Sequence, residues 1–282
     1  MRYRIIILLL ATTAALAACE KSQDEKNADT AAAINQAIAK SQTAAAQADP
    51  WAAAAMLMRE TRAALQANDG CMFGACTRSP TLLRAEEAHW KLVQAALDKA
   101  QPAALATIFG TDAIPSKPVL AEAAAHEIPS QLVAKWAGSL LTLADGSGGA
   151  NAQERALLVA AGNILEVGRY VQRDTYRATG FYARAWLAGD TKAAGDAARS
   201  YFDVGDLRNA YLWAIRCTNE CDLRSLRRTR VTPLDLDSLQ RGLTPLAAAQ
   251  AQKAAADRSV VELEISDLEA VQVEANAAKA GP

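Results

Sequence analysis

Between Ala161 and Asp222 one arrangement of residues is written twice. In the first copy Gly162, Leu165 and Gly168 stand three apart, Asp174 follows, and then come Ala178, Phe181, Tyr182, Ala185 and Gly189. In the second copy Arg199, Phe202 and Gly205 keep the spacing of that trio at a shift of 37 residues. Asp206, Ala210, Trp213, Ala214, Cys217 and Cys221 match the remainder at a shift of 32. The five-residue difference is the run Arg169–Arg173, which has no counterpart after Gly205. A length change confined to one turn is the mark of a repeated helix hairpin, because turns accept insertions and packed helices do not.

The pattern has a physical reading. Small residues (Ala178, Ala185, Ala193, Ala210) recur among large rings (Phe181, Tyr182, Trp186, Trp213), so neighbouring helices can interlock large against small. Gly168 and Gly205 stand where a helix should stop, since glycine takes the left-handed cap conformation without a Cβ penalty. Asp174 and Asp206 stand where the next helix should start, as acceptors for its unpaired amides. The rings at Phe181, Tyr182, Trp186, Tyr201, Phe202, Tyr211 and Trp213 follow this helical register and read as core, not as a ligand cage.

These residues resemble the Sel-one-like repeat, a relative of the tetratricopeptide repeat. Leu165 takes its aromatic slot, and Arg177-Ala178 and Arg184-Ala185 take its Lys-Ala slots. The second copy departs at Arg199, in place of glycine, and at Cys217 and Cys221, in place of alanine and glycine. The resemblance implies an all-α fold in which antiparallel helix hairpins stack as a short α-solenoid over 151–257. Leu243–Asp257 resembles the capping helix of such arrays, with Thr244 as cap and Pro245 at the first helical position. Stacked hairpins of this family leave a concave face lined by the first helix of each pair. Carried over, Asn163, Glu166, Ser200 and Asp203 face that groove, a polar, acid-leaning surface suited to a protein or peptide partner.

At the other end, Met1-Arg2-Tyr3-Arg4 is a short basic head, and Ile5–Ala18 is an apolar run too short to span a membrane. The ending Leu16-Ala17-Ala18-Cys19 resembles the lipobox of bacterial lipoproteins. On that resemblance residues 1–18 are a signal peptide and Cys19 carries the lipid; the alternative is an ordinary signal peptide cleaved after Ala18. Glu20 is not the Asp that marks inner-membrane retention, which favours the outer membrane. The implied location is the bacterial envelope, lipid-anchored and facing the periplasm.

Residues 19–50 are polar and rich in Ala and Gln. They read as a flexible tether reaching roughly 30 Å as a coil, with a lone helix as the other option. An N-terminal helical region follows over 51–145, with helices at Trp51–Asn68, Glu86–Ala106, 119–127 and 131–143. In it Ala96, Ala100, Ala104 and Gly110 faintly echo the repeat. The Gly-rich run from Asp145 to Asn151 is the clearest flexible break. Residues 258–282 read as a frayed tail.

Chemistry is sparse. Setting Cys19 aside, four cysteines remain in an oxidising compartment. The simplest of three connectivities joins Cys71 to Cys76 and Cys217 to Cys221; a four-thiolate zinc site is the alternative. Side chains one turn apart in an ideal helix are badly aimed for a disulfide, so the second pair predicts a helix end near Cys217 to Cys221. Neither His89, three residues after Glu86, nor His126 belongs to a convincing ligand or catalytic set. There is no nucleophile elbow and no phosphate loop. The formal net charge of −1 excludes the basic surface that nucleic acid requires, and Arg224–Arg230 reads as a solvated segment or a helix end.

The expectation is a non-catalytic scaffold or adaptor, anchored by lipid, that needs no cofactor and binds a protein or peptide. A periplasmic immunity protein that neutralises a secreted antibacterial toxin is the alternative.

Overall fold

A computed structural model describes residues 22–47, 49–68, 79–111, 128–168, 170–217, 221 and 235–264. Cys19, Cys71, Cys76, His126, Arg224–Arg230, the helix at 119–127 and the chain beyond residue 264 lie outside these. Every regular element among the described residues is a helix. The chain divides into two compact units, residues 1–99 and 100–282.

The first unit holds α1 (Gln23–Gln47), α2 (Pro50–Gln66) and α3 (Pro80–Asp98), each packed on the other two. Asp49 and Ser79 cap α2 and α3, and a proline opens each helix, where its missing N–H costs nothing. The segment expected to be a tether is therefore mostly a packed helix. Its buried stripe is Ile34, Ala37 and Ser41, mostly small side chains that allow close approach but barely register as hydrophobic. Asn68, buried after the end of α2, accepts from Gln23 Nε2 at 3.0 Å and donates to Asn27 Oδ1 at 2.9 Å and Thr30 Oγ1 at 3.1 Å. It ties the end of α2 to the start of α1. His89 is half-buried on α3, and burial holds its imidazole pKa below the usual value.

The second unit contains α4 (Pro102–Thr111), α5 (Ser130–Gly146), α6 (Ala152–Val167), α7 (Thr175–Leu187), α8 (Ala193–Asp203), α9 (Leu207–Arg216), α10 (Leu236–Arg241) and α11 (Pro245–Ala255). The single helix expected over Glu86–Ala106 is broken here. Pro102 cannot continue α3, and Ala100 takes a φ of +50° between the two helices. The division between units falls at this break. The Gly-rich run at 145–151 is a turn inside the second unit, since α4 and α5 both pack on α6. That turn is tied down: Glu154 accepts from Ala150 N at 3.0 Å and Ser147 Oγ at 3.2 Å, and Asn151 caps α6 by accepting from Glu154 N. The Ala150 amide, aided by Ser147, Gly149 and Asn151, holds the Glu154 carboxyl below its ordinary pKa.

From α6 onward each helix packs on the next: α6 on α7, α7 on α8 and α8 on α9, with α9 also against α10 and α11. The expected punctuation is present. Asp174 accepts from Arg177 N and Asp206 from Asn209 N, each at 3.0 Å. Gly168 and Gly205 have φ of +67° and +84°. After α8 the chain closes tightly, with Asp206 N donating to Tyr201 O. After α6 the inserted run intervenes, and Asp174 N donates to Leu165 O. Inserted Tyr170 packs edge-on against Phe109 of α4, with centroids 5.7 Å apart, so the extra residues in the first copy reach a helix that the second copy does not face. Phe181, Tyr182, Trp186, Tyr201, Tyr211 and Trp213 are buried; Phe202 is half-buried.

Candidate functional site

Three of the four residues expected to face a groove are inside the protein. Asn163 and Ser200 are 2% and 0% exposed and Glu166 is 9% exposed, while Asp203 is half-buried. The Tyr182 hydroxyl lies 3.0 Å from Asn163 Oδ1 and 2.7 Å from Glu166 Oε2. One phenolic proton serves one of these acceptors. With the Asn163 amide turned so that its NH2 faces the phenol, Asn163 donates to Tyr182 and Tyr182 donates to Glu166. The side of α6 assigned to a partner is thus the side against α7. Gly162 explains how the ring fits, because a Cβ there would sit 2.5 Å from Tyr182 Cε1. In the second copy Arg199 stands at the glycine position and Ala214 at the tyrosine position. Large and small have changed sides.

The arrangement that does hold polypeptide is on α9. Asn209, Trp213 and Arg216 lie at i, i+4 and i+7, one stripe of a helix. Against them run residues 257–264, which from 258 on are the described start of the expected frayed tail, as irregular chain. Asn209 pairs with the main chain of Leu263 on both sides: Oδ1 accepts from Leu263 N at 2.7 Å, and Nδ2 donates to Leu263 O at 3.1 Å. Arg208 Nη2 donates to the same carbonyl at 2.9 Å. Trp213 Nε1 donates to Val261 O at 3.1 Å. Arg216 Nη2 donates to Asp257 O at 2.6 Å and Ala254 O at 3.1 Å.

Rings and guanidinium groups complete the site. Arg216 stands 4.8 Å from the Trp186 centroid and 4.9 Å from that of Trp213, and the two indoles meet edge-on at 5.2 Å. Arg258 covers Trp186 at 4.4 Å. Burial lowers the Arg216 pKa, and the Asp257 carboxylate opposes that shift. Asn209 is 0% exposed, so its orientation is fixed by packing and by the Asp206 carboxylate that accepts from its Nδ2 at 2.8 Å. What this face offers chemically is recognition of main-chain amides by pre-aimed side chains.

Cys217 is joined to Cys221, with Cα atoms 5.1 Å apart, and α9 ends at Arg216, the helix end which that pairing required. Among the described residues no three His, Cys, Asp or Glu side chains converge as a metal ion would need, and none of the helices is long and apolar enough to cross a membrane. No protein-family model, no curated protein and no solved structure matches the chain.

Asn209, Arg208 and Arg216 carried no motif in the sequence. Their spacing was present, but only the arrival of residues 257–264 gives that stripe a use.

Proposed function

We propose that this chain is a non-catalytic binding protein of the bacterial envelope, anchored through lipid on Cys19. Its α6–α9 hairpins form a short stack of the Sel-one-like kind, and its work is to hold another protein or peptide. The observation that carries this reading is the two-sided amide pairing of Asn209 with a main-chain unit. A buried side-chain amide aimed in this way recognises polypeptide whatever its sequence, since every non-proline residue offers the same donor and acceptor. The stack is supported by devices that recur at the repeat shift: the aspartate caps, the left-handed glycines and a pair of ring-stacked arginines.

The test is photo-crosslinking in cells from exposed Tyr176 and from Asp203, each replaced in turn by a photoreactive residue. A discrete adduct with one envelope protein is expected; adducts of every size, or none, would count against a scaffold. Labelling with radioactive palmitate, lost in Cys19→Ala, checks the anchor.

A further inference from the structure

The stripe on α9 and the segment that lies on it have matching periods. Four helical residues, Asn209 to Trp213, advance about 6 Å. Two residues of an extended chain advance about 6.6 Å, and Val261 and Leu263 are two residues apart. Side chains spaced i, i+4 on a helix therefore fall opposite alternate carbonyls of an extended chain running the other way, and these two side chains contact those two carbonyls. The match depends on backbone geometry alone, so any extended segment of suitable side chains meets it.

The segment also shows which side chains suit. Val261 and Leu263 are half-buried, while Glu262 and Glu264 are exposed. The apolar residues alternate with acids. The carboxylate of Glu262 is close enough to Tyr201 to raise its pKa, although burial is the larger cause. The hold on residues 261–263 comes from side chains of α9 and two half-buried apolar groups, a combination characteristic of segments that open ahead of the rest of a fold.

We infer that residues 257–264 are a displaceable internal occupant of a peptide-binding site formed by Arg208, Asn209 and Trp213, and that the external ligand is an extended segment of a partner protein in which apolar and acidic residues alternate. This rests on the protein-binding reading above and adds the site, the ligand's pattern and a control. A tethered segment competes at an effective concentration near the millimolar range, so the partner sees only the fraction of molecules whose site is open.

The experiment uses a fluorescein-labelled peptide with the sequence of residues 257–264, titrated into the full chain and followed by anisotropy. The wild-type chain is compared with Val261→Gly/Leu263→Gly, which weakens the occupant and leaves the stripe intact. Binding about tenfold tighter or more is expected in the double variant. It should be lost when Asn209→Asp is added and in a peptide whose apolar and acidic residues exchange places. No binding, equal binding to both chains, or binding indifferent to Asn209→Asp overturns the inference. A wild-type dimer that the peptide dissociates would assign the site to a second copy and overturn the partner named here. Hydrogen exchange on the wild type needs no variant: the Leu263 amide should exchange far faster than that of Leu212, and equal protection overturns displaceability. A cross-linked partner without peptide binding would sink this inference alone; peptide binding without a cellular partner would sink the scaffold reading.

Discussion

Arg184 and Arg216, 32 residues apart, make the same two contacts in different places. Arg184 lies 5.5 Å from the ring of Phe181, three residues before it, and Arg216 lies 4.9 Å from the ring of Trp213, also three before. Arg184 donates to Ala144 O, Asp145 O and Ser147 O at the end of α5; Arg216 donates to Ala254 O, Ala255 O and Asp257 O at the end of α11. The last carbonyls of a helix lack intrahelical donors and carry its negative end. A planar cation with several N–H groups in a fork answers both needs, and the ring beneath holds it level. The two arginines thus act as one kind of device for closing a neighbouring helix, Arg184 for α5 and Arg216 for α11.

Replacing either arginine by methionine keeps much of the stacking volume and removes the donors. Each of Arg184→Met and Arg216→Met should cost about 2 kcal/mol in a urea melt, as for hydrogen bonds from a charged group. Arg216→Met should cost the more, because its guanidinium lies against two indole rings. Lysine in place of Arg216 should recover little, since a point charge cannot reach three carbonyls in one plane.

Gly162 and Gly180 lie in adjacent helices and should respond in opposite directions. Gly162→Ala drives a methyl into the Tyr182 ring and should destabilise the fold by about 1–3 kcal/mol. A methyl added at Gly180 would meet nothing within 4 Å, and the residue is exposed within α7, so Gly180→Ala should stabilise by up to about 1 kcal/mol. Thermal melts of the two variants side by side decide it.

The two helix-ending glycines share positive φ but differ in their surroundings. Gly205→Ala meets open space and should cost about 1–2 kcal/mol from backbone conformation alone. Gly168→Ala adds an overlap with Arg173 Cβ at 2.6 Å and should cost distinctly more. Equal losses in denaturant would show that the inserted turn yields freely.

Tyr201 has its pKa pushed up to about 12, chiefly by burial and then by Glu262, Asp206 and Tyr176, against a hydrogen bond from Thr179. Its folded value lies above the ordinary one near 10, so the neutral form is the one that the fold favours. The associated stability is complete below pH 10 and is lost as pH rises through about 12. An ultraviolet titration should show a late phenolate phase near pH 12 that is missing in Tyr201→Phe; a chain in which all tyrosines ionise near pH 10 would refute the assignment.

Much of the helix punctuation could be read in advance, because a cap is settled within about four residues of chain. Asp174, Asp206, Thr244, Gly168 and Gly205 each do what their type and place implied. The Gly-rich run at 145–151 misled for the complementary reason. Its composition signals freedom, but Glu154 and Arg184 fix it, and Arg184 arrives from a helix the local sequence does not mention. The segment at 23–47 misled because Ile34, Ala37 and Ser41 bury little apolar area each, so its packing left almost no trace in hydropathy.

Sequence by itself determined that this chain is helical, where several of its helices begin and end, and that most of the rings between Phe181 and Trp213 would be interior. It could not determine which side of each helix would be covered. Asn163 and Glu166 look like surface residues until Tyr182 is laid over Gly162, and Asn209 and Arg216 look ordinary until residues 257–264 cross them. Caps depend on neighbours along the chain, whereas exposure depends on what distant segments bring to a helix face, and that is decided only when the whole unit closes.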